Sequence, residues 1–213
     1  MLIVCFGVNA CGKDTLFKNI QQNLDIIYVS ASQILMKSLG IIDEILEKAP
    51  TRENYKTLEC VSDEQRNIIM ATGFFDEIKN IERENPNKTV VIPMHLCIIK
   101  EQNNSYNFDL PDFPYWFEKI DKFIYIRTPL LNLENRISKD SQRQTRERLD
   151  AVRDAKIQQL ILSEKRFKKI KEQYTSKCYS LSNSDRKFES ALIKLENLLN
   201  LNNISDVQHF PIH

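Results

Sequence analysis

Glycine is unusually scarce here. The chain has 4 in 213 residues, where usage of about 7% would supply roughly 15. A chain this sparing holds glycine where its backbone needs it, and Gly7 and Gly12 fall within the first dozen residues. Cysteine comes as an odd set of five (Cys5, Cys11, Cys60, Cys97, Cys178) with no Cys-x-x-Cys pair, which excludes a disulfide framework. Histidine is limited to His95, His209 and His213, too few and too scattered for a zinc site. Charge of one sign is missing as well. The 30 basic and 29 acidic side chains leave +1, so bulk electrostatics gives no case for nucleic acid or an anionic membrane. No apolar run nears the roughly 18 residues of a spanning helix, and Met1–Phe6 is too short for a signal peptide and has no basic flank. These absences predict a reduced, cytoplasmic, soluble protein with no membrane and no nucleic acid among its partners.

What is present reads as an alternation of strands and helices. Leu2–Phe6 is a short continuous apolar run, the pattern of a strand buried on both faces. Residues 13–23 carry helical spacing, Ile26–Val29 is a second strand, and Ser30 or Ser32 can cap a helix through Leu39. Residues 41–60 predict short helices interrupted at Pro50, and Ser62 to Gln65 predicts a capping box for one long helix to about Glu84, with Gly73 inside it. Further strands are expected at Thr89–Ile92, Lys122–Ile126 and Cys178–Leu181. Thr128-Pro129 opens a helical stretch to about Tyr174 with a break at 140–146, and Ser184–Leu199 forms a last helix. Residues 96–113 lack periodicity and read as a long surface loop. The expected fold class is a three-layer α/β/α architecture with a five-stranded parallel sheet and a helical lid. It forms one domain over residues 1–199, followed by a loosely ordered tail at 200–213. In such a sheet, ligands bind beyond the C-terminal strand ends.

Directly after the first strand stands Gly7-Val8-Asn9-Ala10-Cys11-Gly12-Lys13-Asp14-Thr15. Gly-x4-Gly-Lys between a strand and a helix is the Walker A pattern of nucleoside triphosphate binding. Gly7 and Gly12 let the backbone curl so that its N–H groups face phosphates, the helix N-terminus adds positive potential, and Lys13 reaches the outer phosphates. The residue after the lysine is Asp14 rather than Ser or Thr, so Thr15 is the better candidate for phosphate or Mg²⁺. Asp14 acts through metal-bound water or simply complements the helix dipole.

The remaining motifs suggest a family. Val90 to His95, Ile99-Lys100 and the segment Phe108 to Trp116, together with Arg136, Asp140, Arg143, the Thr51-Arg52-Glu53 segment and Asn183, resemble in order and spacing the archaeal-type adenylate kinases. The resemblance covers most of residues 1–195. It implies a P-loop kinase that transfers the ATP γ-phosphate to AMP or a related nucleoside monophosphate, with Mg²⁺ accompanying the donor. The ATP site would comprise Gly7, Asn9, Ala10, Cys11, Gly12, Lys13, Asp14, Thr15 and Asn183. Catalytic charge would come from Lys13, Arg136 and Arg143. The acceptor would meet Ser30, Ser32, Arg52 and His95, and Thr15 and Asp14 would face the metal. An acceptor-binding helical region would span about 30–85 and a lid about 134–148.

Several of these residues keep a plainer reading. Arg136 and Arg143, two turns apart, reach the phosphates together or belong to a solvated basic face with Arg146, Arg148 and Arg153. Ser30 and Ser32 contact the acceptor or cap a helix. His95 bonds a phosphate or a loop backbone, or is structural. Trp116 and Phe113 are expected to anchor the core or a loop. Pro93 stands where the family carries a metal-ordering aspartate, and proline cannot order Mg²⁺ through water. Either the nucleotide, Thr15 and Asp14 hold the metal, or catalysis is slow, or the chain is a nucleotide-binding module or ATPase working with a protein partner. An oligomer is also compatible with the sequence.

Overall fold

A computed structural model describes residues 1–21, 23–45, 50–97, 114–139 and 149–200, the side chains of 149–156 excepted. Its five strands are β1 (Leu2–Phe6), β2 (Ile26–Tyr28), β3 (Thr89–Met94), β4 (Lys122–Arg127) and β5 (Cys178–Ser182). They form one parallel sheet in the order β2-β3-β1-β4-β5. The helices among the described residues are α1 (Lys13–Ile20), α2 (Ala31–Ser38), α3 (Arg52–Cys60), α4 (Asp63–Ala71), α5 (Gly73–Glu84), α6 (Leu130–Lys139), α7 (Leu149–Gln173) and α8 (Phe188–Asn200). The α/β class and five-stranded parallel sheet read from the sequence are thus observed.

The central strand explains the layering. All five residues of β1 are buried. Successive side chains on a strand point to opposite faces, and β1 divides accordingly. Leu2, Val4 and Phe6 enter a core with Ile34, Phe74, Ile78, Trp116 and Phe167. Ile3 and Cys5 enter a second core with Leu16, Phe17, Ile20 and Leu195. One face is therefore covered by α2, α5 and α7, the other by α1 and α8. Trp116 is fully buried, and its indole N–H donates to the Met70 carbonyl at 2.9 Å, which satisfies the one polar atom that burial would otherwise strand. Phe113, the other aromatic expected as an anchor, lies outside the described residues.

Topology places the candidate site. Chain leaving β1 passes to α1 on one face, whereas chain leaving the adjacent β3 packs Leu96 and then Trp116 into the core on the other. Neighbouring strands that send their chain to opposite faces open a crevice beyond their C-terminal ends. Gly7 and His95 each follow directly on one of these two strands.

Four local expectations are corrected. The single helix from Ser62 to Glu84 is two, because Thr72 adopts φ −128° and ψ −85°, ending α4 and starting α5. Gly73 is therefore the first residue of a helix, where the interior penalty of glycine does not apply. Residues 41–45 are not helical, and α3 starts after Pro50 behind a complete Thr51–Asn54 capping box. Thr128 does not cap a helix starting at Pro129; α6 starts at Leu130 and the Thr128 hydroxyl points elsewhere. Pro93 lies within β3 rather than just beyond it, paired with Cys5. Val91 faces β2, accepting from the Val29 N–H at 3.1 Å, and the residue two further on faces the same way. The N–H that proline lacks would thus point past Tyr28, where β2 has ended, so little pairing is lost.

Candidate functional site

The segment from Gly7 to Thr15 winds from the end of β1 into the first turn of α1. Two of its residues have left-handed backbone: Gly12 at φ 87° and Ala10 at φ 64°, the latter the single non-glycine with positive φ among the described residues. The two glycines are needed for different reasons. A Cβ on Gly7 would stand 2.5 Å from the Cys11 sulfur and 3.1 Å from the Ile126 carbonyl oxygen. Gly12 needs both its φ and its space, since a Cβ there would lie 2.5 Å from Asn183 Nδ2 and 3.2 Å from Arg136 Nη1. Ala10 has a Cβ and carries the cost of the left-handed region, about 1–2 kcal/mol for an L-residue.

Lys13 is buried, and its ammonium turns back onto the loop. Nζ donates to the Gly7 carbonyl at 2.7 Å, to the Val8 carbonyl at 3.3 Å and weakly to the Cys11 sulfur at 3.6 Å. His95, at the end of β3, places Nδ1 2.7 Å from the same Gly7 oxygen. A carbonyl only accepts, so Nδ1 carries the proton.

A second group of side chains braces the loop from the far side of the sheet. The Thr128 hydroxyl donates to the Cys11 carbonyl at 3.0 Å, and Asn183 Nδ2 donates to it at 2.8 Å. Both residues are buried, and the Asn183 N–H holds the end of β4 through the Arg127 carbonyl at 2.8 Å. Asn183 Oδ1 is buried without a hydrogen-bond partner among the described residues, a cost of about 1–3 kcal/mol. Arg136 on α6 donates from Nη1 to the Ala10 carbonyl at 3.2 Å and from Nη2 to the Asn183 carbonyl at 3.4 Å. Its Nε and Nη2 grip Asp185 Oδ1 at 3.0 and 2.7 Å. Hydrogen bonds from Asn132, then from Arg136, hold the Asp185 carboxyl below the usual carboxylate range. The structure therefore brings Gly7, Ala10, Cys11, Gly12, Lys13, Arg136, Asn183 and His95 into one network.

The other expected residues are placed as follows. Asn9 is half-buried in the loop, and Thr15 is exposed on the first turn of α1. Asp14 beside it accepts a hydrogen bond from the Tyr28 hydroxyl at 2.5 Å, and the Tyr28 ring stacks on Phe17. Burial, then the Asp14 charge and hydrogen bond, push the Tyr28 hydroxyl far above its ordinary range. Ser30 caps α2 by accepting from the Gln33 N–H at 3.2 Å, and Ser32 Oγ lies 3.1 Å from Ser30 Oγ. Arg52 is exposed on the first turn of α3, and among the described residues no hydrogen bond or ion pair joins it to the loop. Arg143, like Asp140, lies outside the described residues. Sequence reasoning missed Thr128, Tyr28 and Asp185.

Comparison with solved structures bears on the fold. A shikimate kinase of Bacteroides thetaiotaomicron superposes with a TM-score of 0.51 at 16% identity, covering 93% of this chain and 98% of that one. A thymidylate kinase of Candida albicans gives 0.57 at 10% identity, with 96% and 95% covered. A Thermus thermophilus protein gives 0.54 at 13% identity, with 97% and 98% covered. The chain has the P-loop kinase fold. Identities this low carry the fold alone. No protein-family model matches the chain, and no curated protein matches it in sequence. Among the described residues, no helix is long and apolar enough to cross a membrane, and the five cysteines form no disulfide with one another.

Proposed function

We propose that the chain is an ATP-dependent phosphotransferase whose acceptor is a nucleoside monophosphate, AMP or a relative. The observation that carries this reading is the loop itself. Its two glycines tolerate no Cβ, it lies at the C-terminal end of the central strand, and a buried lysine is folded into it. Phosphoryl transfer asks little covalent work of a protein and much positioning of charge. Lys13 and the N–H groups from Asn9 to Thr15 would hold the donor phosphates. Arg136, against the loop backbone at Ala10, and Arg143 on the proposed lid would add positive charge as the phosphoryl group moves. Ser30, Ser32 and Arg52 would seat the acceptor.

The donor set suits Mg²⁺ carried in with ATP. The Thr15 hydroxyl and Asp14 carboxylate are oxygen ligands of the kind a hard cation takes beside phosphates and water. Among the described residues, no group of three His, Cys, Asp or Glu could hold a metal without the nucleotide. When bound, Mg²⁺ would neutralise phosphate charge.

A second reading rests on Pro93, which places no carboxylate at the end of β3. In it the chain binds nucleotide and turns over slowly, as a binding module or ATPase. A coupled assay for ADP, run with each monophosphate and with none, separates the two. Acceptor-dependent ADP formation supports the first. Acceptor-independent phosphate release, or tight ATP binding with no turnover, supports the second.

A further inference from the structure

The Gly7 carbonyl has two side-chain donors, and one of them must leave if the loop is to work as proposed. For Lys13 to meet a phosphate, its ammonium has to let go of the carbonyls of Gly7 and Val8. Gly7 is buried, and a buried carbonyl stripped of its donor is costly. Val8 is provided for, since its oxygen also accepts from the Cys11 N–H at 3.2 Å. For Gly7 the other side-chain donor is His95 Nδ1, at the same 2.7 Å as Lys13.

His95 is also held from outside the loop. The next two residues are tied to α7. Gln159 Nε2 donates to the Cys97 carbonyl at 2.8 Å, the Cys97 sulfur donates to the Gln159 carbonyl at 3.3 Å and lies 3.3 Å from Ser163 Oγ, and Arg166 donates to the Leu96 carbonyl. Gln159 and Ser163 are each 2% exposed. Departure of Lys13 therefore leaves the imidazole in place.

We propose that His95 is a positioning residue of the phosphate loop: it keeps the Gly7 carbonyl satisfied when Lys13 swings from that oxygen to the nucleotide phosphates. The inference deepens the phosphotransferase reading and rests on it. It also sets an unusual pattern of effects. In the nucleotide-free protein either donor suffices, so loss of one is tolerated while loss of both strands the oxygen. In the nucleotide complex only His95 remains, so its loss weakens binding.

Two measurements test this. The first is urea unfolding, without nucleotide, of the wild type, His95→Leu, Lys13→Met and the double variant. The expected result is a double variant destabilised by clearly more than the two single changes added together; additive effects overturn the proposal. The second is calorimetric titration of the wild type, His95→Leu and His95→Asn with Mg·ATP. His95→Leu is expected to weaken the Kd about tenfold, the cost of one unmet buried carbonyl. His95→Asn, whose amide nitrogen can replace Nδ1, is expected to recover most of that. Equal affinity in wild type and His95→Leu overturns the relay alone, as does failure of His95→Asn to improve on His95→Leu. A wild-type chain that binds no nucleotide overturns the reading of the site, and the relay with it.

Discussion

Arg136 and Ala10 are joined across 126 residues of chain: the guanidinium donates to the carbonyl of the one described non-glycine residue with positive φ. The same side chain is fixed by Asp185, so an ion pair outside the loop holds a strained residue within it. The parts of this network can be loosened separately.

Ala10→Gly removes the steric cost of the left-handed region and adds back some chain entropy in the unfolded state. The expected balance is a gain of about 0.5–1 kcal/mol. Urea unfolding of the nucleotide-free protein measures it, and a loss of stability would show that Ala10 is not strained.

Gly12→Ala should go strongly the other way. The added methyl meets Asn183 Nδ2 at 2.5 Å on a backbone at φ 87°, and both the clash and the strain act on a braced loop. A destabilisation of about 2–4 kcal/mol is expected, together with loss of nucleotide binding. Gly40→Ala is the informative control. Gly40 also has positive φ, but among the described residues no atom lies within 4 Å of its Cβ position, so only the strain, about 1–2 kcal/mol, remains.

The pH dependence follows from Asp185. Its folded-state pKa is depressed by Asn132 and Arg136, so it contributes stability above its unfolded pKa near 4. That contribution is lost as pH falls through the folded value. Asp185→Asn should therefore destabilise the protein most near pH 7, with the difference from wild type shrinking as pH drops below about 4. Unfolding midpoints across pH 3–7 check this; a difference that grows on acidification would contradict the ion pair's role.

Asn183→Leu removes one of two side-chain donors to the Cys11 carbonyl while Thr128 stays. The lost hydrogen bond, about 0.5–1.5 kcal/mol, is offset by removal of the stranded Oδ1, so the single change is expected to move stability by less than about 1 kcal/mol. Adding Thr128→Val to it should cost more than the two changes summed, because the carbonyl then loses both side-chain donors.

The legible parts of this molecule are those where one local rule decides. The apolar run Leu2–Phe6, the Gly7 to Lys13 spacing and the helix after it sufficed to place the loop, because a buried strand and a phosphate loop leave few alternatives. The break at Thr72 was not legible, since threonine carries no local rule that ends a helix there. β3 runs past its expected end at Ile92 through Pro93 to Met94, and that proline is tolerated because of where the neighbouring β2 stops, a fact of topology. The partners of Cys11, Thr128 and Asn183, lie 117 and 172 residues away and become neighbours only through strand order. Tyr28 on Asp14 is of the same kind. Arg136 and His95, expected from the sequence to meet phosphate or acceptor, are instead seen bonding the loop backbone at Ala10 and Gly7.

The most direct test of the account is ADP formation from Mg·ATP by the wild type and Lys13→Ala, with and without each nucleoside monophosphate. The account predicts turnover that requires one of the monophosphates and vanishes in Lys13→Ala. Turnover unaffected by Lys13→Ala, or independent of every monophosphate, would contradict it.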